Sequence, residues 1–366
     1  MSTRCHDDIH SPNVPARIDS RSNTFFKSLR AVAITGVIFR HVNDHADMLH
    51  SGFWSLHFFL LTHFLWGSFT VSLFIFLAGY FGTASYKKSS TLVFWKKRFT
   101  RLGTPYLIWT TIYLLLNVLF LHLTYSCKDL VLVFLLGSVH IPFYFFIVLF
   151  QLVLLTPLLF AWATNRKLIW LPYMISFLYV MGCGYIYIRN ETPFWQGVMH
   201  ITPFIPWLAV YSSGMLCNLY ETAIHEWLFQ RIKLLTLLTI VSYLFFFGCI
   251  MYLFHVQDIQ TTLAFRNLTV FTFIPINLLL FVLFFYRHTV IQNRLMLLVG
   301  SYSYGIFLIH LLFIGIIERI PFFQMLAEFP VPYSIIATAA ILGCSVGTIW
   351  LDRKMLGEKK AAWFGF

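Results

Sequence analysis

The sequence predicts an all-α integral-membrane protein: a polytopic bundle of about ten transmembrane helices with both termini cytoplasmic. Three observations predict it. Of the 366 residues, 59% are hydrophobic and 11% charged, whereas a soluble domain carries about 25% charged residues. The mean hydropathy is +0.75, and the apolar residues run in long stretches rather than alternating. Stretches of this length suit spanning helices, which satisfy every backbone polar group internally, better than barrel strands. The third observation is the asymmetric placement of lysine and arginine between those stretches.

The elements follow in order. Residues 1–24 are polar, with Pro12 and Pro15, and read as a mobile cytoplasmic tail. No cleavage pattern precedes the first apolar run, so that run is expected to remain as an anchor. The first span covers about 25–43. Residues 53–86 are apolar but too long for one upright span. Gly67 and Ser68 are expected to divide them into an outer segment, 53–66, and a second span, 67–86. Further spans are expected near 105–123, 142–163, 168–188, 203–220, 234–254, 268–286, 298–317 and 333–351. A short basic tail, 353–366, ends the sequence.

Charge tests the count. Ten spans place 21 of the 26 Lys+Arg on the side of the termini, and Arg40, Lys128, Arg189, Arg266 and Arg319 on the other. The richer side is cytoplasmic by the positive-inside rule. A missed or added span would scramble this division. The same dispersal argues against nucleic acid as the partner of a chain with formal net charge +12, because no basic patch forms. The six cysteines are scattered without metal or redox spacing. No internal repeat and no loop large enough for a second domain is present, so 25–352 reads as one membrane domain.

Four constellations carry chemistry. Arg30 and His41 are eleven residues apart, which is three helical turns plus about 20°, so they share a face about 16 Å apart. An ionisable group at that depth is costly and marks function by default. Asp44 and His45 follow on the same face if the helix continues. A histidine beside a carboxylate suits a general base at neutral pH; the alternative is a helix-end histidine capped by backbone or water.

Lys96, Lys97, Arg98 and Arg101 form a basic loop before Pro105, which suits the first turn of the next helix. Arg98 and Arg101, three apart, share a face and suit bidentate grip of a phosphate. Positive-inside topology and contact with anionic lipid explain Lys87, Lys88 and Lys96 more simply. In the stretch Ser301–His310, His310 lies about 18 Å into its span, a depth like that of His41, so the two could line one cavity with Ser303 nearby. A satisfied interhelical hydrogen bond is the plain alternative for His310. His140, Tyr144 and Gln151 gather around the fourth span. Glu191, Trp195, His200 and Trp207 lie on or near the outer side, where an aromatic belt accounts for the tryptophans.

These motifs resemble acyltransferase family 3, the integral-membrane proteins that O-acylate bacterial surface polysaccharides and lipid-linked glycans. The resemblance covers about 25–350. Arg30 and His41 match the basic-residue, ten-residue, histidine pattern of the first span. Phe74–Tyr80 matches the phenylalanine-rich Ala-Gly-Tyr end of the second. Arg98, Arg101, Pro105 and Tyr106 match the Arg-x-x-Arg and Pro-Tyr pattern, and Ser303–His310 matches the late serine-to-histidine motif, with Phe307 in place of the usual tyrosine. Arg40 departs from the pattern by placing a charge where many members have an apolar or small residue. The chain reads as a stand-alone version without the soluble C-terminal domain of some relatives.

The resemblance implies acetyl-CoA or another acyl-CoA as cytoplasmic donor, without a metal. It implies His41 as base or transient acyl carrier, Arg30 orienting the donor or stabilising negative charge, and Arg98 and Arg101, flanked by Lys97, on the donor's phosphates. Asp44 would orient His41. His310, Ser303, Tyr144 and Gln151 would face the acceptor, a lipid-linked or polymeric glycan in the bacterial inner membrane, with polysaccharide assembly machinery as a further partner. A glycan or acyl-group transporter or flippase is the alternative. Transporters often carry two repeated halves with broken helices, and no such repeat is visible here.

Overall fold

The computed structural model describes residues 16–43, 53–188, 204–256, 270–289 and 293–366. All regular structure among them is helical: α1 (Ala16–Val42), α2 (Phe53–Tyr86), α3 (Thr91–Leu121), α4 (Cys127–Leu136), α5 (Tyr144–Thr164), α6 (Leu171–Ile188), α7 (Leu208–Leu219), α8 (Glu221–Val256), α9 (Val270–Phe285), α10 (Arg294–Ile317), α11 (Pro321–Leu326), α12 (Pro330–Leu356) and α13 (Glu358–Ala361), with single 3-10 turns at Ile141–Phe143, Ile205–Trp207 and Ala362–Phe364. Each of the ten apolar stretches holds a helix. Six helices among the described residues are long and apolar enough to cross a membrane by length and composition. The molecule is a polytopic membrane bundle.

Several boundaries differ from the sequence expectation. Helix α1 begins at Ala16, so part of the stretch read as a tail is helical. Helix α2 runs unbroken for 34 residues through Gly67 and Ser68, about 51 Å long. A glycine inside a helix costs only about 1 kcal/mol, too little to stop an otherwise apolar helix. The basic stretch 96–101 is helical, not a loop, and Pro105 sits inside α3 rather than in its first turn. Helix α8 begins at Glu221 and runs 36 residues, so only Tyr220 separates it from α7. The short helix α4 was not foreseen. Its start is fixed by a capping box: Asp129 N–H donates to Ser126 Oγ at 3.2 Å, and Ser126 N–H donates to the Asp129 carboxylate at 3.0 Å. Gly137, at φ 66°, closes the other end in the left-handed region.

The core forms around α1, α2 and α7. Helix α1 packs against α2, α10 and α12, and α2 lies along α7. Residues Leu208–Cys217 of α7 are all buried. Helices α2 and α7 approach so closely that a Cβ at Gly214 would lie 2.0 Å from the Phe76 carbonyl oxygen. Helices α1 and α10 meet in the same way, with a Cβ at Gly300 falling 1.9 Å from the Lys27 carbonyl oxygen. Small residues at such crossings let backbones touch where lipid offers no competing hydrophobic drive.

Buried hydroxyls stitch the neighbouring helices. Thr156 Oγ1 and Tyr211 OH lie 2.8 Å apart, and so do Tyr173 OH and Ser213 Oγ. Leucines such as Leu115, Leu154, Leu178, Leu237 and Leu244 point outward and are exposed, which suits a surface solvated by lipid. The 353–366 segment does not project. Trp109 Nε1 donates to the Phe364 carbonyl at 3.0 Å, and the Phe366 ring lies 6.0 Å from that of Trp109.

A candidate active site between the first and tenth helices

The α1–α10 crossing brings His41 and His310 together, with ring centroids 5.6 Å apart. The two are 269 positions apart in the chain, and equal depth was the only sequence signal that paired them. His310 is fully buried. Its Nδ1 lies 2.7 Å from the Phe307 carbonyl oxygen, one helical turn back. A carbonyl only accepts, so Nδ1 carries the proton and a neutral His310 holds its lone pair on Nε2. That nitrogen is buried with no hydrogen-bond partner among the described residues. A neutral imidazole with an unused acceptor nitrogen is equipped to take a proton.

Around this pair stands an aromatic wall. Phe307 lies 5.7 Å from the His310 ring and packs on Phe145 at 5.3 Å and Phe146 at 5.6 Å. Tyr113 OH donates to the Leu308 carbonyl at 2.8 Å, fixing α3 to α10 two residues before His310. The His140 ring sits edge-on to Tyr113 at 4.9 Å, so the predicted His140 does reach this region. Tyr113 carried no sequence signal as a site residue, because buried aromatics are common throughout this chain, whereas Phe307 had stood out only as a departure from the late motif. Tyr144 is half-buried at the start of α5, within electrostatic reach of Arg40. Gln151 is half-buried two turns further along α5.

Below the histidines lies a basic group. The Arg30 guanidinium stacks over the Phe81 ring at 4.8 Å, and Arg101 is close enough for the two charges to act on each other. The helical rise places Arg30 about 16 Å from His41, so Arg30 belongs with the arginines rather than with the imidazoles. Arg98 Nη2 donates to the Phe81 carbonyl at 2.8 Å, and its guanidinium lies 5.7 Å from the Phe94 ring. Arg98 therefore also has a structural duty, tying α3 to α2. Arg101 and Lys97 are exposed. Tyr304 OH donates to the Leu102 carbonyl at 3.3 Å, joining this group to α10. Ser303 is buried; seven residues before His310, it shares that face of α10 at a rise of about 10 Å.

The structure thus joins His41 to His310, and Arg30 to Arg98 and Arg101, as two groups spaced along α1. Asp44 lies outside the described residues, as do His45, Glu191, Trp195 and His200. A contact missed in the sequence closes the far end of α1. Ser334 Oγ donates to Asn43 Oδ1, and Asn43 Nδ2 donates to the Phe39 carbonyl at 2.6 Å. This pair clamps α12 to α1 two residues beyond His41. No group of three or more potential metal ligands occurs among the described residues.

The arrangement can hold an anion at its basic end and move a proton at its histidine end. A family model described as an acyltransferase domain matches residues 23–350. Neither the curated proteins nor the solved structures give a match. The matched span takes in most of α1 through most of α12, including His41 and His310 and Arg30, Arg98 and Arg101, so this chain belongs to acyltransferase family 3.

Proposed function

We propose that the protein is a membrane-bound O-acyltransferase. It transfers acetyl from cytoplasmic acetyl-CoA to a sugar hydroxyl of an exopolysaccharide, O-antigen or other lipid-linked glycan in the bacterial inner membrane. The ten-span topology with both termini inside belongs to this reading, because it sets the basic group on the donor's side. The observation that carries it is the His41–His310 pair, half-buried and fully buried respectively, at one end of a face of α1 whose other end holds Arg30 beside Arg98 and Arg101.

The donor's phosphates rest on Arg98 and Arg101 in the wet layer, with Lys97 at the rim. Arg30, stacked on Phe81, steers the pantetheine arm inward. A gap of about 16 Å between Arg30 and His41 suits an extended arm better than a compact ligand. His41 takes the proton of the sugar hydroxyl as that oxygen attacks the thioester carbonyl. His310, its ring 5.6 Å from that of His41, stabilises the imidazolium that forms. The tetrahedral intermediate collapses with loss of the CoA thiolate, and His41 returns the proton to that sulfur. The aromatic wall keeps water from the thioester.

The test uses purified protein in nanodiscs with radiolabelled acetyl-CoA. Free CoA release is followed with and without extracted lipid-linked glycan, for wild type and His41→Ala. Acceptor-dependent release that disappears in the variant is the expected result. Turnover at the wild-type rate in His41→Ala removes His41 from the mechanism. No binding or turnover of any acyl-CoA, with a competent acceptor pool, would favour a transporter.

A further inference from the structure

A second polar cluster lies beside the first, on the other side of the α2 end. Arg287, in the turn after α9, is 95% buried, at 5% relative exposure. Its Nε donates to Glu221 Oε1 at 3.0 Å, and Tyr80 OH donates to Glu221 Oε2 at 3.3 Å. The guanidinium stacks on the Phe284 ring at 4.5 Å. These contacts fix the Nε edge and one face of the group. The Nη1 atom is buried without a partner among the described residues, and so is Nδ1 of the adjacent His288. The His288 ring lies 6.2 Å from that of His225, which stacks on Phe285 at 5.1 Å.

A buried guanidinium nitrogen left without an acceptor is costly. Two nitrogens on consecutive residues, both without a partner among the described residues and one of them permanently a donor, suit one multivalent acceptor. Glu221 is already engaged by Arg287 Nε and by Tyr80 OH, and Glu226 acts on His225. Lys87 anchors the same corner by donating to the Asn218 carbonyl at 3.2 Å. Burial, then the charges of Arg287 and His225, hold the His288 imidazole below its ordinary range, with Glu221 opposing them only in part.

We propose that Arg287 and His288, positioned by Glu221 and Tyr80, form a phosphate-binding site at the end of α2. A phosphate offers several acceptor oxygens in the spacing that a guanidinium edge and a neighbouring imidazole present. Tyr80 and Phe81 are consecutive, and Phe26 packs on both at 5.0 and 5.4 Å. The site therefore adjoins Arg98 and Arg30, which hold Phe81 from the other side. The phosphate comes either from the 3′-phosphate of an acyl-CoA, with its pyrophosphate on Arg98 and Arg101, or from an anionic phospholipid headgroup. The first source rests on the donor assignment above; the second does not.

The experiment measures binding of coenzyme A and of 3′-dephospho-coenzyme A to the full chain in phosphatidylcholine nanodiscs. Thermal midpoints are then compared with and without phosphatidylglycerol. The proteins are wild type, Arg287→Lys and His288→Gln. The His288 variant leaves the Glu221 pair untouched and so carries the test if the arginine variant folds poorly. A coenzyme A source predicts that wild type prefers coenzyme A about tenfold over the dephospho form and that His288→Gln reduces this to about twofold. A lipid source predicts equal affinity for the two nucleotides, or none for either. It further predicts a midpoint that phosphatidylglycerol raises in wild type and not in His288→Gln. Lipid stabilisation without coenzyme A binding would keep this site and sink the donor assignment. Wild type indifferent to both the 3′-phosphate and phosphatidylglycerol, or variants that keep the wild-type preference, would overturn the proposal.

Discussion

Replacing Gly300 with alanine tests whether the α1–α10 crossing sets the geometry of the site. The added Cβ would lie 1.9 Å from the Lys27 carbonyl oxygen and 2.6 Å from its carbon. Both are backbone atoms, so no rotamer change can make room. Ordinary contact begins at 3.4 Å, which demands a retreat of about 1.5 Å between the helices. Overpacking of this kind costs about 1–3 kcal/mol. Alanine recovers about 1 kcal/mol through helix propensity, so a net loss of up to about 2 kcal/mol is expected.

The kinetic effect is larger. Arg30 lies one turn from Lys27, and His310 lies ten residues from Gly300, about 15 Å along α10. Opening the crossing tilts α10 away from α1 and shifts His310 relative to His41. A misplacement near 1 Å costs about 10²-fold in rate. Thermal unfolding in detergent and single-turnover acetyl transfer measure the two effects. Gly315→Ala is the control, since nothing lies within 4 Å of the Cβ it would add to the same helix. It should hold or raise stability with unchanged rate. Wild-type stability and rate in Gly300→Ala would refute the claim that this contact positions the histidines.

Other expectations follow from the same geometry. His310→Ala should lower acetyl transfer by about 10²–10⁴-fold while donor affinity is retained, as read by single-turnover rates beside equilibrium binding; loss of affinity alone would place His310 in ground-state binding. Arg98→Ala should strip the Phe81 carbonyl of its donor, costing about 1–3 kcal/mol in thermal unfolding as well as weakening acetyl-CoA binding, whereas Lys97→Ala should leave stability unchanged. Ser126→Ala should destabilise α4 by about 1 kcal/mol, visible as faster amide exchange over Cys127–Leu136. The Ser126 hydroxyl, then its backbone N–H, hold the Asp129 carboxyl below its ordinary range. A depressed folded value means the cap's contribution is present at neutral pH and is lost as pH falls through the carboxylate range. Acid should therefore speed exchange of those α4 amides relative to α5, and equal protection at both ends of that range would contradict the assignment.

The helices were legible because lipid leaves the backbone no other choice. A stretch of about twenty apolar residues must satisfy its own N–H and C=O groups, and each of the ten stretches holds a helix. Boundaries were less legible wherever polar residues continue a helix beyond the apolar layer. Lys96–Arg101 read as a loop because of their charge, yet they lie within α3. Gly67 and Ser68 read as a break, yet α2 runs through them, since the propensity cost of one glycine is too small to stop an otherwise apolar helix.

The candidate site divides in the same way. Arg30 with His41, and Arg98 with Arg101, were visible because helical rise and rotation fix their relations within one segment. The Nε2 of His310, without a partner among the described residues, was not, because it depends on which nitrogen meets the Phe307 carbonyl. Nor were the bonds of Tyr113 to Leu308 and of Ser334 to Asn43 visible, which cross 195 and 291 positions. Arg287 counted in the sequence only as one more inner-side charge; the fold gave it Glu221 on one edge and left Nη1 buried without a partner among the described residues.

The sequence by itself determined the class of the molecule, the location of its helices and the residue types that carry chemistry. Those follow from local hydropathy, charge and the period of the helix. Only the tertiary structure decided that α1 crosses α10 at Gly300, that His41 meets His310, and that Arg98 is tied to Phe81. Those contacts depend on which helices lie side by side, and in a bundle of similarly apolar helices the pairing is selected by small residues, buried polar groups and close packing summed over the whole fold.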